Sequence, residues 1–199
     1  MKPKFLLLAW LVMTTFVVSP RANGHEEIFN AVLNGASEDP SNGSSGSGFT
    51  TITLDLDLFT MRVQADFTNL QGVTTAAHIH APTLEPFMGN ADVATQMPSF
   101  SGFPSGVYSG TYDHTFDLAD ASSYNPDFIS AHGGTVSGAS NALIFALQDG
   151  KAYLNIHTSS FPGGEIRGFL VQVPEPGTTA LLVVGAGALL WGWRRHRPH

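Results

Sequence analysis

The chain has 199 residues, which suits one domain once its two oily ends are set aside. It contains no cysteine, and this excludes disulfides, thiol catalysis and cysteine-ligated zinc or iron–sulfur centres. The formal net charge of −7 understates the acidity of the middle: between His25 and Val173 only Arg62, Lys151 and Arg167 stand against fifteen acids, a balance of −12 that repels phosphate backbones and argues against a nucleic-acid partner.

At the start, Lys2 and Lys4 precede an apolar run from Phe5 to Val18, followed by Ser19-Pro20-Arg21-Ala22-Asn23-Gly24. Small residues at Ala22 and Gly24 have the spacing a signal peptidase reads. The pattern predicts a signal peptide over residues 1–24, cut after Gly24, and a mature domain over residues 25–173.

Within that domain Glu27 to Leu33 reads as a strand, and the Ser-, Gly- and Asn-rich stretch from Ser37 to Gly48 as a flexible loop. Ile52, Leu54, Leu56 and Leu58 alternate with polar residues, as do Met61, Val63, Ala65 and Phe67. Period-two patterning marks strands with one buried face. Folding the pair about Phe59-Thr60 sets Leu58 against Met61, Leu56 against Val63, Leu54 against Ala65 and Ile52 against Phe67, with Asp57 opposite Arg62.

Val73 to Ala81 predicts a further strand, Pro82 to Gly106 a long loop, and Val107 to Phe116 a strand. Asn125-Pro126-Asp127 carries a capping residue, a proline at the first helical position and an acid in the first turn, with Gly133 as a stop, so one short helix is expected there. Ala139 to Gln148 reads as a second. Ala152 to His157 and Glu165 to Gln172 close the domain as strands. Short strands, Gly/Pro turns and few helices predict an all-β fold, an antiparallel Greek-key-like β-sandwich with one or two short helices.

The tail, residues 174–199, opens with Pro174-Glu175-Pro176, continues as an uncharged run from Gly177 to Trp193 and ends in Arg194-Arg195-His196-Arg197. The run reaches the lower limit of about 17 residues for a membrane-spanning helix. Trp191 and Trp193 suit an interface, and the arginines suit the cytoplasmic side. A C-terminal hydrophobic helix is therefore expected, giving contact with a membrane.

Eight histidines are many for this length. His78 and His80 flank Ile79 on one strand, so both rings project from the same face, about 6.6 Å apart by the strand rise. His157 belongs to the polar face of another strand, with Tyr153 and Asn155. The three could share a transition metal, with copper or zinc the expected cofactor. The alternative is that they only bond backbone and neighbouring side chains. His25 would begin the mature chain, His132 suits a helix end, and His114 is assigned nothing. Glu165 and Arg167, two apart on an expected strand, are read as a structural ion pair. No catalytic residue is assigned, because no Ser/His/Asp or phosphate-loop arrangement has its required context.

Leu33-Asn34-Gly35-Ala36-Ser37-Glu38, Ala77-His78-Ile79-His80, Ala152-Tyr153-Leu154-Asn155-Ile156-His157-Thr158 and Phe161-Pro162-Gly163-Gly164-Glu165-Ile166-Arg167-Gly168 together resemble the CHRD domain over nearly the whole core. The resemblance implies an extracellular β-sandwich module and supplies no biochemical role. The sequence departs from the usual pattern in its insert around Pro82 to Gly106 and in Ala81-Pro82, where a glycine often follows the histidine pair. The His-x-His strand also looks like the copper-binding strand of copper/zinc superoxide dismutase, a short likeness. The tail is similar to the PEP-CTERM sorting signal, which implies recognition by an exosortase in a Gram-negative envelope.

Three readings compete. The first is a non-enzymatic surface or extracellular-matrix module that binds polysaccharide or protein. The second is a metal-binding protein using His78, His80 and His157, and the third a superoxide-dismutase-like redox enzyme at the same site. All three place the domain outside the cytoplasm, at the cell envelope or in the matrix.

Overall fold

A computed structural model describes residues 26–174. The expected signal peptide, His25 and the expected tail helix with its Glu175, Pro176, Arg194 and Arg195 lie outside the described residues, and Pro174 is the last of them. Among the described residues no helix is long and apolar enough to cross a membrane.

Eight strands form one antiparallel sheet: β1 Glu26–Asn34, β2 Ser47–Asp55, β3 Thr60–Thr68, β4 Thr74–His80, β5 Gly110–Asp117, β6 Tyr153–Thr158, β7 Ile166–Phe169 and β8 Val171–Gln172. Their order is β4-β6-β7-β1-β2-β3-β5, with β8 alongside β1, and the sheet curls into a half-barrel. Two short helices, α1 Pro126–Ala131 and α2 Val136–Gln148, complete the fold. The expected all-β architecture with one or two helices is what the chain adopts.

Alternation drives the sheet. Phe29, Leu33, Ile52, Leu54, Met61, Val63, Ile79, Leu154, Ile156 and Ile166 are fully buried in one core, joined there by Leu143 and Leu147 of α2. Burying each such side chain stabilises the fold by roughly 1.5–3 kcal/mol relative to exposure. Asn125 caps α1 by accepting from the Asp127 amide at 3.1 Å, as its sequence signature predicts. The second helix starts three residues earlier than expected, because the Thr135 hydroxyl accepts from the Gly138 amide at 3.0 Å. The expected closing strand, Glu165 to Gln172, is two strands interrupted at Leu170.

The β2–β3 hairpin keeps the expected face but not the expected register. Leu54 meets Met61, Ile52 meets Val63, Thr50 meets Ala65, and Arg62 faces Thr53. The cause lies in the turn. One carboxylate oxygen of Asp55 accepts from the amides of Asp57 (3.0 Å) and Leu58 (2.8 Å), and Phe59 takes the left-handed conformation at φ 55°. Residues 56–59 therefore form a four-residue loop, and Arg62 bonds Asp113 of β5, with Nε to Oδ1 at 2.7 Å. Sliding by an even number of positions preserves the buried face, which is why alternation alone cannot locate the turn.

The stretch from Ser37 to Gly48 is not a free loop. A 3-10 turn, Gly35–Ser37, is capped by Asn34, and Asn42 donates to the carbonyls of Gly164 and Glu165. Ser44 donates to Glu165 Oε1 at 2.6 Å. Partners some 120 residues away hold this segment in place.

Glu165 and Arg167 do not pair with each other. Gly164, at φ 132°, bends the chain so that Glu165 lies outside β7. Its carboxylate accepts from Ser44 and Thr158 hydroxyls and from the amides of Gln71 and Gly72. Burial pushes its pKa up, but these four bonds outweigh burial and hold it below the usual carboxylate range. Arg167 instead bonds Ser37 O and Asn90 Oδ1, and lies 3.9 Å from the Glu38 carboxylate.

The long segment after β4 forms a strap along that strand. Ala94 donates to Ile79 O (3.0 Å), Phe100 to Ala77 O (3.0 Å), and Ser99 and Thr95 side chains accept from the Ala77 and Ile79 amides. Of the sheet's two end strands, β4 is thereby paired on its free side.

Candidate metal centre

Strand parity places the histidines. Ala77 and Ile79 of β4 enter the core, so His78 and His80 occupy the opposite face, aligned with Asn155 and Tyr153 of β6. On β6, Leu154 and Ile156 enter the core, which leaves Tyr153, Asn155 and His157 on the histidine face. That face is largely covered. The strap and the turn after β6 lie over it, leaving His78 5% and His80 9% exposed and His157 half-buried.

The structure brings all three histidines together. Ring centroids are 5.2 Å apart for His78 and His157, and 5.8 Å for His80 with each of the others. One ligand nitrogen from each ring lies within 4.8 Å of the other two. A tetrahedral metal with bonds of about 2.0–2.1 Å sets its donors roughly 3.3 Å apart, so capture requires no pair to close by more than about 1.5 Å.

Hydrogen bonding decides which nitrogen of each ring is free. His78 Nε2 donates to Pro98 O (2.7 Å), His80 Nδ1 to Ala91 O (2.9 Å) and His157 Nδ1 to Pro162 O (2.9 Å). A carbonyl only accepts, so each of these nitrogens carries the proton. His78 Nδ1, His80 Nε2 and His157 Nε2 are left as lone-pair nitrogens, buried and without a hydrogen-bond partner. A metal-ligating imidazole is oriented in the same way, its second nitrogen donating to a carbonyl or carboxylate. Burial also lowers all three pKa values, that of His80 to about 4, and so keeps the rings neutral and able to coordinate.

The surroundings were not evident from the histidine pattern. Tyr153 stacks on His80, and the Arg167 guanidinium sits 4.6 Å above the Tyr153 ring. Asn155 donates to Glu38 Oε2 at 3.4 Å, and its amide nestles against Gly164, where a Cβ would come within 2.4 Å. Burial pushes the Glu38 carboxyl up to about 7 despite Arg167 and Asn155 beside it. Among the described residues five buried side-chain atoms have no partner, the three imidazole nitrogens, Glu38 Oε1 and Asn155 Oδ1. All belong to this one neighbourhood, and an unsatisfied buried acceptor is costly unless something else meets it. Tyr153 and Asn155 share the strand parity of His157 and could have been found that way. Glu38 could not.

The other histidines lie elsewhere. His114 is packed on β5 near Phe116, ring centroids 4.7 Å apart, and His132 ends α1 with Nδ1 donating to Phe128 O at 2.8 Å.

A family model described as the CHRD domain matches residues 29–170, well over half the chain, and contains every residue of the histidine centre. The chain belongs to the CHRD domain family. Directly after the CHRD domain, residues 172–197 match the PEP-CTERM protein-sorting motif. The CHRD protein is thus an exported one, sorted to the cell envelope, processed by an exosortase and anchored to the membrane through that motif. No curated protein and no solved structure matches the chain.

Proposed function

We propose that this envelope-sorted CHRD domain is a non-enzymatic metal-binding module that holds a transition metal outside the cytoplasm through His78, His80 and His157. One observation carries the reading: three neutral imidazoles, each locked by a backbone carbonyl, cluster within coordinating reach of one another, and each keeps an unpartnered, solvent-inaccessible nitrogen. Nothing in ordinary core packing calls for three lone pairs in one place, and a cation satisfies all of them together. The placement supports holding over turnover, since a redox or hydrolytic metal needs a coordination position that substrate can reach. The residue ranges that go with this reading are a leader over 1–24, the domain over 25–173 and the sorting tail over 174–199.

The test is metal stoichiometry on the exported protein purified without an affinity tag. The expected result is about one copper or zinc ion per chain, as a single three-histidine centre requires. A protein that takes up neither ion at micromolar concentration overturns the reading. A second role, docking of an extracellular polysaccharide or protein, is supported by Leu84, Phe87 and Met88, three large apolar side chains exposed on the strap.

A further inference from the structure

We infer that the three-histidine centre is built for copper(I), held in three-coordinate form, in preference to zinc(II) or copper(II). The inference rests on the metal-binding reading and narrows it to one ion and one oxidation state.

The donor set is the first ground. Three uncharged imidazoles form the group, and among the described residues no carboxylate joins it. A bound ion therefore keeps its whole charge inside the protein. The cost of moving an ion out of water grows with the square of its charge, so a monovalent ion is far easier to bury here than a divalent one.

The neighbouring charges are the second ground. Arg167 lies over Tyr153, and Tyr153 is stacked on His80, which places a guanidinium one ring away from a ligand. The carboxyl on this side, Glu38, has one oxygen 3.9 Å from the Arg167 guanidinium, so the two charges offset, while its Oε1 is left without a partner. The surroundings supply no surplus negative charge to offset a second positive one.

Coordination number is the third. Zinc(II) in proteins takes four ligands, the fourth being a side chain or water. The three free nitrogens are shut off from solvent, and no fourth histidine, aspartate or glutamate lies within reach among the described residues. Copper(I), singly charged and at ease with two or three ligands, is satisfied by three imidazoles, a donor type that suits copper.

The experiment titrates the exported protein with copper(I) under ascorbate against bicinchoninate, and in parallel with zinc(II) against a chromophoric chelator. Expected is one copper(I) per chain, bound about 100-fold or more tightly than zinc(II). The copper-loaded protein should also retain its metal and stay silent in electron paramagnetic resonance after exposure to air. His157→Gln, with circular dichroism as a check on folding, should lose copper(I) affinity, and His114→Gln should not. Zinc(II) bound as tightly as copper(I), or a copper(II) signal that grows in air, overturns the copper(I) assignment and leaves the metal-binding reading in place. Failure to bind either copper(I) or zinc(II) removes both.

Discussion

The Tyr153 ring lies flat against the His80 imidazole, centroids 4.9 Å apart and planes 3° from parallel. The contact fixes the tilt of His80 while Ala91 O fixes its proton. Tyr153 is itself buried, with the Arg167 guanidinium 4.6 Å from its ring centroid. Tyr153→Ala should lower unfolding free energy by about 3–5 kcal/mol, as large aromatic truncations in cores do. It should also weaken metal binding by about 10–100-fold, the usual range for groups that orient a ligand. Tyr153→Phe keeps the stack and should bind metal nearly as the parent does. Denaturant unfolding and calorimetric titration on both variants separate the two effects, and equal metal affinity in all three proteins would show that the stack does not position His80.

Metal binding should stabilise the folded protein by mass action. At free ion about 100 times the dissociation constant the gain is about 2.7 kcal/mol, seen as a rise in melting temperature. His78→Gln or His80→Gln should abolish that rise. A rise that survives in either variant would place the bound ion elsewhere.

Two buried titrations should oppose each other in the metal-free protein. His80 falls from 6.5 to about 4 on folding, mainly through burial, so the unfolded chain holds more protons between those values. Its contribution is complete above about pH 6.5 and is lost as pH falls toward 4. Glu38 rises from 4.5 to about 7, again mainly through burial, so here the folded chain holds more protons. Its contribution is complete below about pH 4.5 and is lost as pH rises toward 7. Glu38→Gln removes the second trend, and acidification from pH 7 to 5 should then destabilise the variant more steeply than the parent. Urea unfolding at the two pH values decides it. Parallel losses in the two proteins would mean that Glu38 does not titrate in this window.

Glu165 is a structural clamp. Its single carboxylate joins the Ser44 segment, the Gln71-Gly72 turn and Thr158 of β6. Glu165→Ala leaves those donors unmet and should cost about 3–5 kcal/mol, whereas the exposed Arg62–Asp113 pair should matter far less when Asp113→Asn removes it. Similar unfolding curves for the two variants would contradict this ranking.

Removal of residues 174–199 should release the domain from the envelope into the medium, because the PEP-CTERM match lies almost wholly in that stretch. Fractionation of the native host with each form is the measurement. Retention of the truncated form would assign anchoring to the domain itself.

The strands were legible because alternation is a local property, visible in Ile52, Leu54, Met61 and Val63 without knowledge of the partner. The turn between them was not, since it depends on the Asp55 carboxylate folding back onto two amides and on Phe59 accepting a left-handed backbone. Strand parity likewise put His78, His80 and His157 on candidate faces, though not which strands adjoin. The shell around them was hidden for a different reason. The groups that orient the rings are carbonyls of Ala91, Pro98 and Pro162, and every residue type carries a carbonyl. Glu165 and Arg167 were misread as partners because two-residue spacing implies a shared face only when both residues belong to the strand.

The strap beside β4 has a bearing on self-association. An unpaired outer strand invites neighbouring copies to zip together into fibres. Residues 92–100 already occupy that margin, contributing backbone and hydroxyl partners, while Pro98 has no amide to offer a newcomer. The same segment that shields the histidines thus closes this edge to strand pairing between copies, and a change that loosened it would expose both the histidine cluster and a polymerisation edge at once.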